Sequence, residues 1–212
     1  LTPTATALPT RERLEMARQA GIRRIALSLD APTAEVHDAF RQVPGSWERT
    51  MIILRAAQQA GLSAQVNTTV STYNLGLVSN MPRCIQEVEA VQWSVFFLVP
   101  TGRARMRADV RLMISPEEHE RVFHWLYDLS KTAPFDIKAT AAPMYRRVAI
   151  ERRKAEAANG SSPESSPPAV TFQGAGFQYA DGLNRPTRGV NDGNGFLFIS
   201  HTGDIQPSGF LP

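Results

Sequence analysis

Five polar residues stand where they could act together on a small ligand. Ser28 and Asp30 are two apart at the end of one apolar run, Ile25 to Asp30. Asn67 and Thr69 are two apart in a second, Ala64 to Val70, and Arg103 follows a third, Val91 to Val99. A carboxylate such as Asp30 can accept two hydrogen bonds from a diol, as ribose presents, with Ser28 supplying a donor or acceptor beside it. An arginine such as Arg103 can clamp a carboxylate with two parallel bonds. Diol, amide and carboxylate contacts together describe a zwitterionic or nucleoside-like ligand. The competing reading is local: Asp30 caps a short helix beginning near Thr33, Arg103 is a loop charge, and the strand polars satisfy one another.

Other chemistries find less support. No glycine-rich loop opens a helix, so there is no phosphate cradle. His37, His119, His124 and His201 lack metal-ligand spacing and no Ser/His/Asp triad can be read. His37 is positioned to flank the strand ends, and His201 reads as a turn residue. The single cysteine, Cys84, sits in an apolar helical pattern and reads as a buried structural thiol. An aldolase or epimerase site would need a lysine or a metal set at the strand ends. Lys138 is the only strand lysine, and it falls outside the three strongest units.

Those units are built by a repeated join. Gln19-Ala20-Gly21 and Gln59-Ala60-Gly61 each close a helical pattern and lead into a strand with polar residues at its end. Thr10 is the expected cap of the first helix and Ser46 of the helix that ends at Ala60. A short helix is expected from Thr33 to Phe40, and a helical stretch from about Leu75 to Ala90 with Pro82 near its start. Ser115-Pro116-Glu117-Glu118 is a capping box for a helix reaching about Lys131. A short strand at Phe135–Thr140, a helix at Pro143–Ala158 and a hairpin turning at His201–Asp204 complete the pattern. Strand alternating with helix argues for βα units on a parallel sheet. Residues alternate across a strand, so Ala26, Ser28 and Asp30 share one face, as do Gln65, Asn67 and Thr69. Polar groups on an inner face must pair, hold water or meet a ligand.

The chain has 212 residues, 42% hydrophobic, with a net charge of +3. The basic residues are spread out, and their densest group, Arg146-Arg147 and Arg152-Arg153-Lys154, reads as a solvated helix face rather than a nucleic-acid surface. No apolar run reaches membrane-spanning length and no signal peptide is seen, so no membrane partner is expected and a reducing cytoplasm is the simplest setting. The chain opens on Leu1 and ends within a strand pattern, which reads as an internal piece of a longer protein.

Ile25-Ala26-Leu27-Ser28-Leu29-Asp30, Val66-Asn67-Thr68-Thr69-Val70 and Phe96-Phe97-Leu98-Val99-Pro100-Thr101-Gly102-Arg103-Ala104 resemble the fourth, fifth and sixth strands of radical S-adenosylmethionine enzymes. Gly189-Val190-Asn191-Asp192-Gly193 with Phe196–Pro212 resembles the start of a SPASM or twitch extension. The resemblance implies an α/β fold, a partial (β/α)6 barrel fragment followed by a small α+β extension. It implies boundaries at 1–133 for barrel, 134–158 for a connecting strand and helix, 159–170 for a Ser/Pro-rich linker and 171–212 for the extension. It also implies S-adenosylmethionine as cofactor, cleaved at a [4Fe-4S] cluster to a 5′-deoxyadenosyl radical, and an electron donor as partner. By position, Ser28, Asp30, Asn67, Thr69, Arg103 and Thr4 match cofactor contacts. The substrate stays open between peptide, tetrapyrrole and small metabolite.

The cysteine triplet of that family is absent here, so this chain supplies no metal ligands and is expected to be inactive alone. The alternative is a binding or scaffold domain of the same fold without a cluster.

Overall fold

The computed structural model describes residues 1–99, 112–140, 142–158, 198–200 and 202–206. They fall in two compact units. Arg103, the Ser/Pro-rich stretch 159–170 and the Gly189–Gly193 motif lie outside the described residues.

The first unit alternates helix and strand. Its helices are α1 (Arg11–Gln19), α2 (Ala34–Arg41), α3 (Ser46–Gln59), α4 (Met81–Glu87), α5 (Pro116–Ser130) and α6 (Pro143–Ala158), with a 3-10 turn over Leu75–Asn80 before α4. Its strands β1 (Arg24–Ser28), β2 (Ser63–Val70), β3 (Gln92–Phe97) and β4 (Asp136–Thr140) form one parallel sheet in the order β1-β2-β3-β4. Leu1 lies against the outer edge of β1: its N–H donates to Arg24 O at 3.0 Å and its carbonyl accepts from Ala26 N at 2.8 Å.

Local chemistry sets these elements. Thr10 caps α1 by accepting from Arg13 N. At the second glycine join the backbone is left-handed, with φ +74° at Gly61. A Cβ there would stand 2.7 Å from Arg18 Nε. That guanidinium donates to Gly61 O at 3.1 Å, so a side chain would break the bond that ties α1 to the end of α3. Ser115 and Glu118 form the full reciprocal box at the start of α5.

Two expectations need correcting. The cap of α3 is not Ser46, which is the first helical residue; Gly45 holds the cap position at φ +72°. The oxygen that closes this helix start comes from Asp38 in α2. Its carboxylate accepts from Gly45 N at 2.6 Å, Trp47 N at 2.8 Å and Ser46 Oγ at 2.9 Å. A side chain from the preceding helix thus does the work of a local cap. The stretch after β2 is likewise not one helix. It breaks into the 3-10 turn and α4 because Pro82, which has no N–H, can stand only at a helix start.

The apolar face of the sheet carries Ile25, Leu27, Val66, Val70, Trp93, Val95 and Ile137, all buried. Trp93 packs edge-on against Trp125 at 5.9 Å and Phe135 at 6.4 Å. Its indole N–H donates to Thr68 Oγ1 at 2.8 Å, and Thr68 donates in turn to Leu29 O at 2.7 Å. This chain of bonds crosses β1, β2 and β3 inside the core.

The second unit, where described, is a small hairpin. β5 (Phe198–Ile199) and β6 (Ile205–Gln206) pair antiparallel. Ser200, Thr202 and Asp204 bond to one another in the turn.

Thr68→Val should cost about 2 kcal/mol in urea unfolding, since it leaves the Trp93 N–H and the Leu29 carbonyl buried without partners. Asp38→Ala should cost about 1 kcal/mol, the loss of a helix cap. Hydrogen bonds from Trp47 N, Ser46 Oγ and Gly45 N together outweigh the opposing effect of burial and hold the Asp38 carboxyl below its ordinary 3.8. Its contribution is therefore present above pH 3.8 and lost as the pH falls below it, and Asp38→Asn should flatten that acid limb.

Candidate functional site

Parallel pairing sets residues of equal register side by side, and partners across such a ladder point to the same face. On the face opposite the tryptophan core this produces transverse rows. The lowest is Ala26, Gln65, Gln92 and Asp136; the next is Ser28, Asn67, Ser94 and Lys138; above it stand Thr69, Phe96 and Thr140. In the lowest row Ala26, Gln92 and Asp136 are buried, as is Arg24 below them, and Gln65 is partly exposed. Ser28, Asn67, Lys138, Thr69 and Thr140 are partly exposed, so the face opens toward the carboxyl ends of the strands.

One hydrogen-bond path runs up this face. Arg24 Nη1 donates to Gln92 Oε1, and Gln92 Nε2 donates to Ser94 Oγ at 3.1 Å. Gln65 Nε2 also donates to Ser94 Oγ at 3.1 Å and to Asn67 Oδ1 at 2.9 Å. The arginine at the base fixes the orientation of the Gln92 amide, and both glutamines turn their N–H groups toward the second row. The Thr140 hydroxyl oxygen, at the tip of β4, is buried with no partner among the described residues.

The tips of β1 and β2 are locked together. Asp30 is buried, with one carboxylate oxygen on Arg41 Nε at 2.5 Å and the other accepting from Thr69 N at 2.8 Å. Asn74 is buried beside it. Its amide donates to Asp30 O at 2.6 Å and Thr69 O at 2.8 Å and accepts from Ser71 N at 2.8 Å. Asp30 N donates to His37 Nδ1 at 3.0 Å, which requires a neutral ring. Burial lowers the His37 pKa and nearby Arg41 adds to this, against the opposing carboxylates of Asp30 and Asp38. Asp30 does not cap α2: the cap position is Thr33, without a side-chain bond.

The structure thus brings Ser28, Asn67 and Thr69 to one face and puts Asp30 at its upper edge with both carboxylate oxygens engaged within the chain. Thr4 is exposed and its side chain makes no hydrogen bond among the described residues. His37 does flank the strand ends. His119 instead stacks on Phe97 at 4.9 Å, in the aromatic group with Phe123. The basic residues of α6 meet acidic partners on α5: Arg147 pairs with Glu120, and Arg152 with Asp128 at 2.5 Å. Cys84 is buried 3.7 Å from Pro32 O, and burial pushes its thiol up. Among the described residues no group of three or more His, Cys, Asp or Glu is arranged to hold a metal. An iron–sulfur cluster needs several thiolates, and one buried neutral thiol does not fit that need. Among the described residues no helix is long and apolar enough to cross a membrane.

Arg24, Gln92, Ser94, Lys138 and Asn74 were not legible as site residues. The alternation Gln92, Ser94, Phe96 and Asp136, Lys138, Thr140 carried the signal, but the third run reads first as apolar. Lys138 lies outside the three strongest units of the sequence, yet register puts it level with Ser28, Asn67 and Ser94.

Asn74→Ala should destabilise the chain by about 2–3 kcal/mol in urea unfolding, because it strips buried partners from both strand tips. Stability should also fall as the pH drops below 6.5, since the folded state holds His37 neutral while the unfolded chain protonates it. His37→Gln should reduce this pH dependence in thermal melts between pH 7.5 and 5.

No family model matches the chain. It is similar along its whole length to curated proteins named AdoMet-dependent heme synthase. The protein of that name from Oleidesulfovibrio alaskensis is 38% identical over 212 residues, 100% of this chain and 50% of the relative. That from Nitratidesulfovibrio vulgaris is 38% identical over 211 residues, 100% of this chain and 52% of the relative. That from Methanosarcina barkeri is 36% identical over 209 residues, 99% of this chain and 54% of the relative. The chain spans about half the length of these relatives, and it is homologous to enzymes that depend on S-adenosylmethionine.

Proposed function

We propose that this chain is part of a radical S-adenosylmethionine enzyme acting on a tetrapyrrole. In this reading the four parallel strands are a segment of a partial barrel and the hairpin begins a SPASM-like extension. The observation that carries the proposal is the polar face opening at the carboxyl ends of β1 and β2, where α/β folds build their sites. The similarity along the whole chain to AdoMet-dependent enzymes supports the cofactor.

Ser28, Asn67 and Thr69 are the proposed contacts of the nucleoside, and Thr4 and Arg103 are further proposed contacts of the cofactor. The hydroxyl of Ser28 has no partner among the described residues, and the Asn67 carbonyl is taken by Gln65, leaving its N–H groups to donate. Asp30 acts as a positioning residue: through Arg41 and Thr69 N it sets the spacing of the two tips. When bound, S-adenosylmethionine supplies a reactive adenosyl group. The residues of this chain bind it and orient it. Cluster thiolates are assigned to parts of the protein beyond this sequence, and the electron donor is a separate partner. The second reading, a scaffold without a cluster, is favoured only by the lone buried Cys84.

Isothermal titration of the complete protein with S-adenosylmethionine tests this. Asn67→Ala should weaken binding about tenfold or more with an unchanged melting temperature. Equal affinity in both proteins would refute the assignment of the pocket to this face, and no binding to either would favour the scaffold.

A further inference from the structure

The direction of the hydrogen bonds on the polar face specifies the kind of group it recognises. Ser94 is 2% exposed, and its oxygen accepts from both Gln65 and Gln92. With two acceptor positions filled, what it has left is its O–H, for which the described residues provide no acceptor. Asn67 is in the same condition: its carbonyl is filled and its two N–H donors remain. Lys138 is level with Ser94 across β3 and β4 and brings three N–H donors and a positive charge. The second row therefore carries donors on three successive strands, and those of Asn67 and Ser94 are oriented from below by Arg24 and the two glutamines. Neighbouring strands lie about 4.8 Å apart, within which one carboxylate can bridge two side chains.

We propose that the Ser94–Lys138 half of this row is a carboxylate subsite. One carboxylate oxygen takes the Ser94 O–H and the other the Lys138 ammonium, a charge-assisted contact in a partly desolvated setting. Lys138 already has an interaction within the chain. The subsite does not need it free, because an ammonium serves more than one acceptor. An ester or amide of the same ligand would keep its shape and lose the charge that the row selects. The inference rests on the proposed function and deepens it by naming the recognised group. That group has two sources in that reading, the amino-acid carboxylate of S-adenosylmethionine and a propionate of the tetrapyrrole.

The test uses the complete protein and two pairs of probes: S-adenosylmethionine with its decarboxylated form, and haem with haem dimethyl ester. Affinities are measured for the wild type, Lys138→Gln and Lys138→Arg. The expected result is that Lys138→Gln weakens one carboxylate-bearing probe by about tenfold or more. Its carboxylate-free counterpart should be unaffected, and Lys138→Arg should restore most of the loss. The pair that responds identifies the source. A Lys138→Gln protein that binds every probe as the wild type does, or weakens each probe and its counterpart alike, overturns the subsite while leaving the proposed function standing. Failure of the wild type to bind either S-adenosylmethionine or haem overturns both.

Discussion

Parallel strand pairing is the constraint from which the rest of this structure follows. Evenly spaced backbone bonds fix β1 to β4 in one register, and that register decides which side chains are neighbours. A slip of one residue in β3 would carry Ser94 and Gln92 into the tryptophan core and turn Trp93 and Val95 onto the polar face. Such a slip is opposed twice over. Trp93 needs Thr68 as its acceptor, and Gln92 needs Arg24 and Ser94. Both faces of the sheet demand the same alignment for unrelated reasons, one apolar and one polar.

The polar face tolerates burial because its members satisfy one another in a fixed sense. An isolated buried amide or hydroxyl costs free energy, whereas a connected set does not. Here the set is polarised. It begins at a buried cation and ends in donors at the edge of an open region, so satisfaction below is coupled to availability above. The strand tips are treated differently. Asp30, Asn74, His37 and Arg41 tie the two tips to each other through Asp30 and the backbone, giving a fixed rim rather than a reactive one. A fixed rim beside a row of oriented donors is a way to preorganise binding groups that sit partly on strand ends.

The homologues put this face in context without assigning its residues. They extend to about twice the length of the chain, and the cysteine chemistry of a cluster is not available from Cys84. What this chain brings is the framework of β1 to β4 and its donors. The ion pairs between α5 and α6 show how the high arginine content is accommodated: Glu120 and Asp128 are matched to Arg147 and Arg152. The charge of that helix pair is largely balanced within it.

Much of the fold was legible because its causes are local. Thr10, Ser115 with Glu118, Pro116 and the two glycine joins act within a turn of themselves, and the elements they delimit stand where the sequence puts them. Ser28 with Asp30, and Asn67 with Thr69, could be read as pairs sharing a face because strand alternation is also local. The cap of α3 could not, since its oxygen arrives from Asp38 in another helix. The role of Asp30 was hidden for the same reason: its partners Arg41, Thr69 and Asn74 are brought to it by three separate elements. Lys138 and Ser94 show the limit most plainly. The sequence by itself determined that each strand has a polar side. Only tertiary pairing decided that these two residues stand level, because register between strands is set by side chains distant in the chain meeting in space.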